Sequence, residues 1–126
     1  MQPDPELRAT LLALYAAMSS GNAPSVEAFY SLASGSVFIG TDASEFWTDS
    51  ARHNADVRPF FDGSRGTLRW TAGDALAYSE GNVGWTIDRP AIALPDGSTR
   101  LLRVTLVWHL EDGAWRVVQS HASAGA

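Results

Sequence analysis

Apolar residues recur at Leu7, Leu11, Leu14, Tyr15 and Met18. That is the i, i+4, i+7, i+8, i+11 spacing of one helical stripe, so residues 4–19 are expected to form an amphipathic helix. Pro5 is tolerated in a first turn, and "SSGN" at 19–22 ends the pattern. A second, short helix is expected from Ala23-Pro24-Ser25, carrying Val26, Phe29, Tyr30 and Leu32 to "ASG". The period then changes. "SVFIGTD" (36–42) is β-branched and aromatic and predicts a strand. "SEFWTDSARHNADVRPFFDG" (44–63) predicts a third helix of about 10–12 residues, with Pro59 disturbing its last turn.

From residue 66 the chain reads as four extended runs, 66–81, 82–97, 98–113 and 114–123, separated by the turns "EGN", "PDG" and "EDG". The spacing suits an antiparallel meander, and Gly73-Asp74 suits a bulge that would bend the first run. Helices followed by one strongly bent antiparallel sheet make a single α+β domain over 1–126. The helices' stripes would cover the concave side of the sheet. A cone of that shape is not filled to its mouth by side chains, so a pocket is expected.

The last hairpin carries most of the chemistry. With Asp112-Gly113 as a two-residue turn, Glu111 pairs with Ala114, Trp108 with Val117, Leu106 with Gln119 and Val104 with His121. Val104, Leu106, Trp108, Val117, Gln119 and His121 then share one face, apolar except at the Gln119–His121 end. That is the composition of the polar end of a mostly hydrophobic pocket. Arg103, His109 and Arg116 fall on the other face, which suits solvent or a subunit interface. A register slip of one residue would invert these relations.

Composition removes several chemistries. The chain has no Cys, which excludes disulfides, thiolate nucleophiles and Cys-ligated zinc. Its nine basic residues are all Arg, so no Lys is present to form a Schiff base. A net charge of −5 without a basic stripe opposes nucleic-acid binding. No apolar run approaches a membrane span and no basic leader precedes the first helix, so a cytoplasmic protein is expected. Three scattered His establish no metal site, and no cofactor is assigned.

Three segments, "FIGTDASEFW" (38–47), "EGNVGWTIDRPAIALPDG" (80–97) and "LRVTLVWHLEDGAWRVVQSHAS" (102–123), resemble the nuclear transport factor two-like superfamily in its SnoaL-like branch. The last hairpin is also similar to the association domain of the calmodulin-dependent kinase, through Val107-Trp108-His109, Asp112-Gly113 with Trp115, and His121 with Ser123. The resemblance implies a cystatin-like, SnoaL-like cone with a pocket between helices and sheet, dimerising through the outer sheet face. It does not choose a function, because this fold hosts isomerases, dehydratases, cyclases, hydrolases, binding modules and assembly hubs. Ketosteroid isomerases of the fold place carboxylates where this chain has Val37–Gly40 and Thr105–Val107, and the kinase hub's pocket arginines match Leu106 and Ala122 here. The acid/base Asp of SnoaL-like cyclases finds no matching residue.

His121 is the leading acid/base candidate, weighed against a core His bonded to backbone or Gln119. Asp42 is the second, although an Asp at a strand exit is also ordinary turn chemistry, and Glu45 reads as solvated. His53 and Asp56, three apart on the third helix, read as a solvated face. Trp85 and Trp108 are expected to line the pocket with Leu106, Gln119 and His121, and Tyr15, Phe38, Phe46, Trp47 and Phe60 to close its helix side. The resulting expectation is a SnoaL-like homodimer that binds a small organic ligand in an aromatic pocket. A cofactor-free proton-transfer enzyme and a dimeric assembly module are the alternatives.

Overall fold

Asp4 opens the first helix by accepting the Leu7 N–H on its Oδ1 at 2.9 Å, and Gly21, at φ 70°, ends it with its own N–H on the Met18 carbonyl. In the computed structural model, which describes residues 1–125, a two-residue strand β1 (Gln2–Pro3) precedes this helix α1 (Pro5–Ser20). Leu7, Leu11, Leu14 and Tyr15 are buried as the stripe predicts. α2 (Ala23–Glu27) is shorter than its apolar pattern suggested. Residues 29–31 leave the helix to pair with Val117, whose N–H bonds the Phe29 carbonyl and whose carbonyl accepts from Ser31, so Leu32 ends up exposed.

β2 (Val37–Ile39) and β3 (Phe46–Trp47) form a short antiparallel pair, the second of them unforeseen, before α3 (Ser50–Gly63). Asp49 caps α3 through the Arg52 N–H. Pro59 does not break its last turn: Pro59 and Ala55, whose carbonyl loses its partner, both lie on the exposed side of the helix.

The 66–81 run is two strands rather than one bulged strand. β4 (Arg69–Thr71) and β5 (Leu76–Glu80) part at Gly73, whose N–H bonds Asp88 Oδ1. β6 (Val83–Asp88) and β7 (Ala91–Ala93) divide the next run at Arg89-Pro90. β8 (Thr99–Glu111) and β9 (Ala114–Ala124) form the long hairpin, with Asp112 and Gly113 both at positive φ, 51° and 80°, as a primed two-residue turn requires. The main path of the sheet is β1-β5-β6-β8-β9-β2-β3, with β7 bridging β8 to β4. All contacts along it are antiparallel except β2 on β9, which is parallel.

β8 thus pairs with β7 at its start and β6 further on, and the sheet curls around α1. α1 lies close on β6: a Cβ added at Gly84 would stand 2.5 Å from Leu7 Cδ2. One apolar cluster, from Leu7 and Leu11 through Phe38 to Trp108 and Val117, fills the narrow end of this α+β cone. Among the described residues no helix is long and apolar enough to cross a membrane.

Candidate functional site

The wide end of the cone holds a cavity of about 310 Å³. Alternation along the strands sets its floor, because residues that pair across strands share a face. One row runs Leu106, Ser120, Phe38, Trp47 across β8, β9, β2 and β3, and the next pairs Val104 with Ala122. Leu14, Tyr15 and Met18 of α1 and His53, Val57 and Phe61 of α3 form the roof. Trp70, Ile92 and Arg100 make the far wall.

His53 is the buried histidine of this lining. Its ring sits 4.4 Å from Phe38, 4.9 Å from Tyr30 and 5.0 Å from Trp47, centroid to centroid. Burial pushes its pKa below the ordinary histidine value, while the Asn54 contact and the charges of Asp56 and Glu27 pull back more weakly. Nδ1 lies 3.1 Å from Asn54 Oδ1. With that oxygen as acceptor, Nδ1 carries the proton and Nε2 is an acceptor, and no group of the described residues bonds it. Asp56 accepts the Trp47 indole N–H at 2.8 Å and the Arg52 guanidinium at 3.1 Å, and both hold its carboxyl below the usual range.

The Tyr15 ring borders the cavity, but its hydroxyl is engaged elsewhere. Its hydroxyl donates to Asp88 Oδ2 at 2.9 Å, and burial and that carboxylate push its pKa up. Asp88 also accepts the backbone N–H groups of Gly73 and Arg89, so this buried acid pins α1 to the β4–β5 and β6–β7 connections. The Tyr15 ring stacks on Trp70 at 5.9 Å. Burial also raises the Tyr30 hydroxyl.

Of the residues expected to line a pocket, Tyr15, Phe38, Trp47, Phe60 and Leu106 border this cavity. Phe46 alternates with Trp47 on β3 and turns away, 60% exposed. Trp108 faces the concave side but lies sealed in the core, its Nε1–H on Thr86 Oγ1 at 3.0 Å. Trp85 pairs with Val107 on the convex face, where it stacks on Tyr78.

Gln119 and His121 also belong to the convex face. The register holds from the turn to Trp108↔Val117, then Val118 is inserted as a bulge and the pairs become Val107↔Gln119, Leu106↔Ser120 and Thr105↔His121. The extra residue reverses the alternation. Ser120 and Ala122 take the inward places, and His121 is exposed. Asp42 is exposed as well and caps its own turn by accepting the Ser44 N–H, which also holds its carboxyl low. Among the described residues no hydrogen bond or ion pair joins His121 to Asp42, whose carboxylate is taken by Ser44. Glu45 does border the cavity, bonded to the Asp42 N–H.

The sequence reading put His53 on a solvated helix face and left Tyr30, Trp70, Arg100 and Ser120 out of the pocket, yet His53 is buried and all five line the cavity. A signal for His53 was present. His53, Val57 and Phe61 recur at i, i+4, i+8, a stripe that turns the histidine inward, and Asp49 fixes where that helix begins. Among the described residues, no three His, Asp or Glu converge in a way that would hold a metal ion.

The architecture and the cavity at its open end define the class: a nuclear transport factor two-like, cystatin-like cone. Solved structures share that fold at low identity. A nuclear transport factor two-like protein of unknown function from Pseudomonas putida superposes at a TM-score of 0.83, with 16% identity over 95% of this chain and 84% of that one. A Streptomyces avermitilis protein of the same superfamily, provisionally named a dehydratase, gives 0.79 and 14% identity over 96% and 93%. A Thiobacillus denitrificans protein, provisionally named a calcium/calmodulin-dependent protein kinase type II association domain, gives 0.74 and 22% over 100% and 98%. No protein of curated function matches the chain in sequence. The family model for the SnoaL-like domain matches residues 7–126, and the chain belongs to that family.

Proposed function

We propose that the chain binds a small, largely apolar, planar organic molecule in the cavity between α1, α3 and the sheet. The observation that carries this reading is the cavity itself: about 310 Å³, with aromatic and aliphatic walls and a few convergent polar groups. Ligand sites commonly have that volume and composition. Tyr30, Phe38 and Trp47 offer flat surfaces, and His53 Nε2 offers one oriented acceptor among them. Native mass spectrometry of freshly purified protein tests the reading, with an adduct lost on denaturation as the expected result. A variant with the floor filled, Ala122→Trp, should lose the adduct while staying folded. Retention of the adduct by that variant would place the ligand elsewhere.

A second reading is favoured by His53. A buried, uncharged imidazole facing a cavity is suited to take a proton from a bound substrate, so the same site supports cofactor-free proton-transfer chemistry. The dehydratase name carried by the Streptomyces avermitilis neighbour agrees with this class. His53→Gln should then abolish turnover and leave ligand affinity within a few-fold.

The convex face supports a homodimer. Leu76, Val83 and Ile87 are 50%, 43% and 44% exposed there, beside Tyr78, Trp85 and Val107. Exposed apolar side chains gathered on one sheet face mark an interaction surface. An assembly module without a ligand would use this face and leave the cavity empty.

A further inference from the structure

Trp70 on β4, Ile92 on β7 and Arg100 on β8 stand in one cross-strand row, Trp70 opposite Ile92 and Ile92 opposite Arg100, and all three border the cavity. The row offers donors and no acceptors. The Trp70 Nε1–H is buried and bonds nothing among the described residues. Arg100 has no ion pair there either, whereas Arg52, Arg58 and Arg89 are each paired with an acid.

The other charges of the lining are already engaged. Asp56 is held by Arg52 and the Trp47 indole, and Glu45 accepts the Asp42 N–H. Arg100 is the one charge bordering the cavity that lacks a partner among the described residues. A guanidinium matches a carboxylate in a planar, two-bond geometry that a neutral group does not reproduce. Between this wall and the aromatic cluster around His53 the floor is mostly apolar, Leu102, Val104, Leu106 and Ala122, with the Ser120 hydroxyl as its polar group.

We infer, on the binding reading above, that the ligand is an aromatic carboxylic acid, its carboxylate at Arg100 beside the Trp70 N–H and its ring over the apolar floor. The ligand is then an anion bound by a chain of net charge −5, so recognition rests on this local guanidinium and not on the overall field.

The test compares 2-naphthoate with its uncharged, nearly isosteric amide by isothermal titration calorimetry at low salt and pH 7.5. Naphthoate should bind about tenfold tighter than the amide, the scale of one charge-assisted contact. Arg100→Gln should bring naphthoate to the affinity of the amide and leave the amide unchanged. Trp70→Phe, which keeps the ring on Tyr15 and removes the donor, should also weaken naphthoate; an unchanged affinity overturns that contact. Equal binding of both compounds, abolished in both by Ala122→Trp, overturns the acid preference and leaves the binding reading standing. If neither compound binds, and neutral naphthalenes also fail, the proposal falls together with the reading beneath it.

Discussion

His53 shows how strongly position governs the chemistry of a single side chain. Its imidazole is packed among three aromatic rings, and the loss of water around it outweighs the nearby carboxylates. The unfolded chain takes up a proton on this group near pH 6.5, and the native state only at a lower pH. Within that window the unfolded state binds more protons, so stability is full above pH 6.5 and falls as the pH drops toward the native value. The depressed carboxylates Asp4, Asp42 and Asp56 contribute in a separate window, lost only as the pH falls below their ordinary value of 3.8. The urea midpoint should therefore decline between pH 7.5 and 5.5, and His53→Gln should flatten that slope. An unchanged slope would mean that the ring is solvated. Trp108 offers a second test at this scale, because its indole N–H has Thr86 Oγ1 as its partner in a sealed core. Thr86→Val keeps the shape and orphans the donor, which should cost about 1–3 kcal/mol in urea unfolding. At this scale Tyr15, Phe38 and Trp47 were legible at the cavity, and Phe46, Trp85, His53 and His121 were not. Which way such a side chain turns depends on the phase of its element, which caps, bulges and cross-strand register set.

The same point holds for elements. α1 was legible almost to the residue because a strong stripe, an Asp cap and a Gly stop agreed. The primed Asp112-Gly113 turn was legible too, and it fixed the register as far as Trp108. Beyond that point one inserted residue, Val118, reversed the faces, and nothing in "RVVQSHAS" marks it, since valine suits a regular strand equally well. The bulge is selected by the tertiary fit: it leaves Ser120 and Ala122, two small residues, at the cavity floor and turns Gln119 and His121 out. Deleting Val118 should remove the bulge and leave the pairs Val107↔Gln119, Leu106↔Ser120 and Thr105↔His121 as they are, so His121 stays outward. We expect the deletion variant to unfold cooperatively by circular dichroism, destabilised by about 0.5–3 kcal/mol through loss of the local bend. Loss of cooperative unfolding in that variant would show that the bend itself, and not only the register, holds the sheet together. The split of the 66–81 run at Gly73 escaped the sequence pattern for a related reason. The break is held by Asp88, fifteen positions away, and local pattern carries no trace of such a partner.

At the scale of the molecule the sheet has two unlike faces, and β8 displays both by alternation: Val104 and Leu106 look into the cone, Thr105 and Val107 outward. The cone and the place of the cavity between helices and sheet follow from element order, which the sequence made plain. The composition of the convex face was hidden because β7 lies between β6 and β8 in the chain, so no turn in the sequence fixes Trp85 opposite Val107. That face carries Tyr78, Trp85 and Val107 in one cross-strand row and Leu76 and Ile87 in the next, with no helix over them. A lone chain that leaves this much apolar surface in water gains by covering it, and a self-complementary twofold contact is the common solution. A stable dimer needs on the order of 800 Å² from each partner. Sedimentation at micromolar concentration should thus give twice the 13.5 kDa chain mass, and Trp85→Arg, which sets a charge at the centre of the row, should give 13.5 kDa. Because the cavity lies on the opposite face of the sheet, the monomeric variant should bind the cavity ligand within a few-fold of the parent. Loss of binding on dissociation, with the fold intact by circular dichroism, would show instead that pairing the convex faces holds the sheet at the curvature the cavity needs.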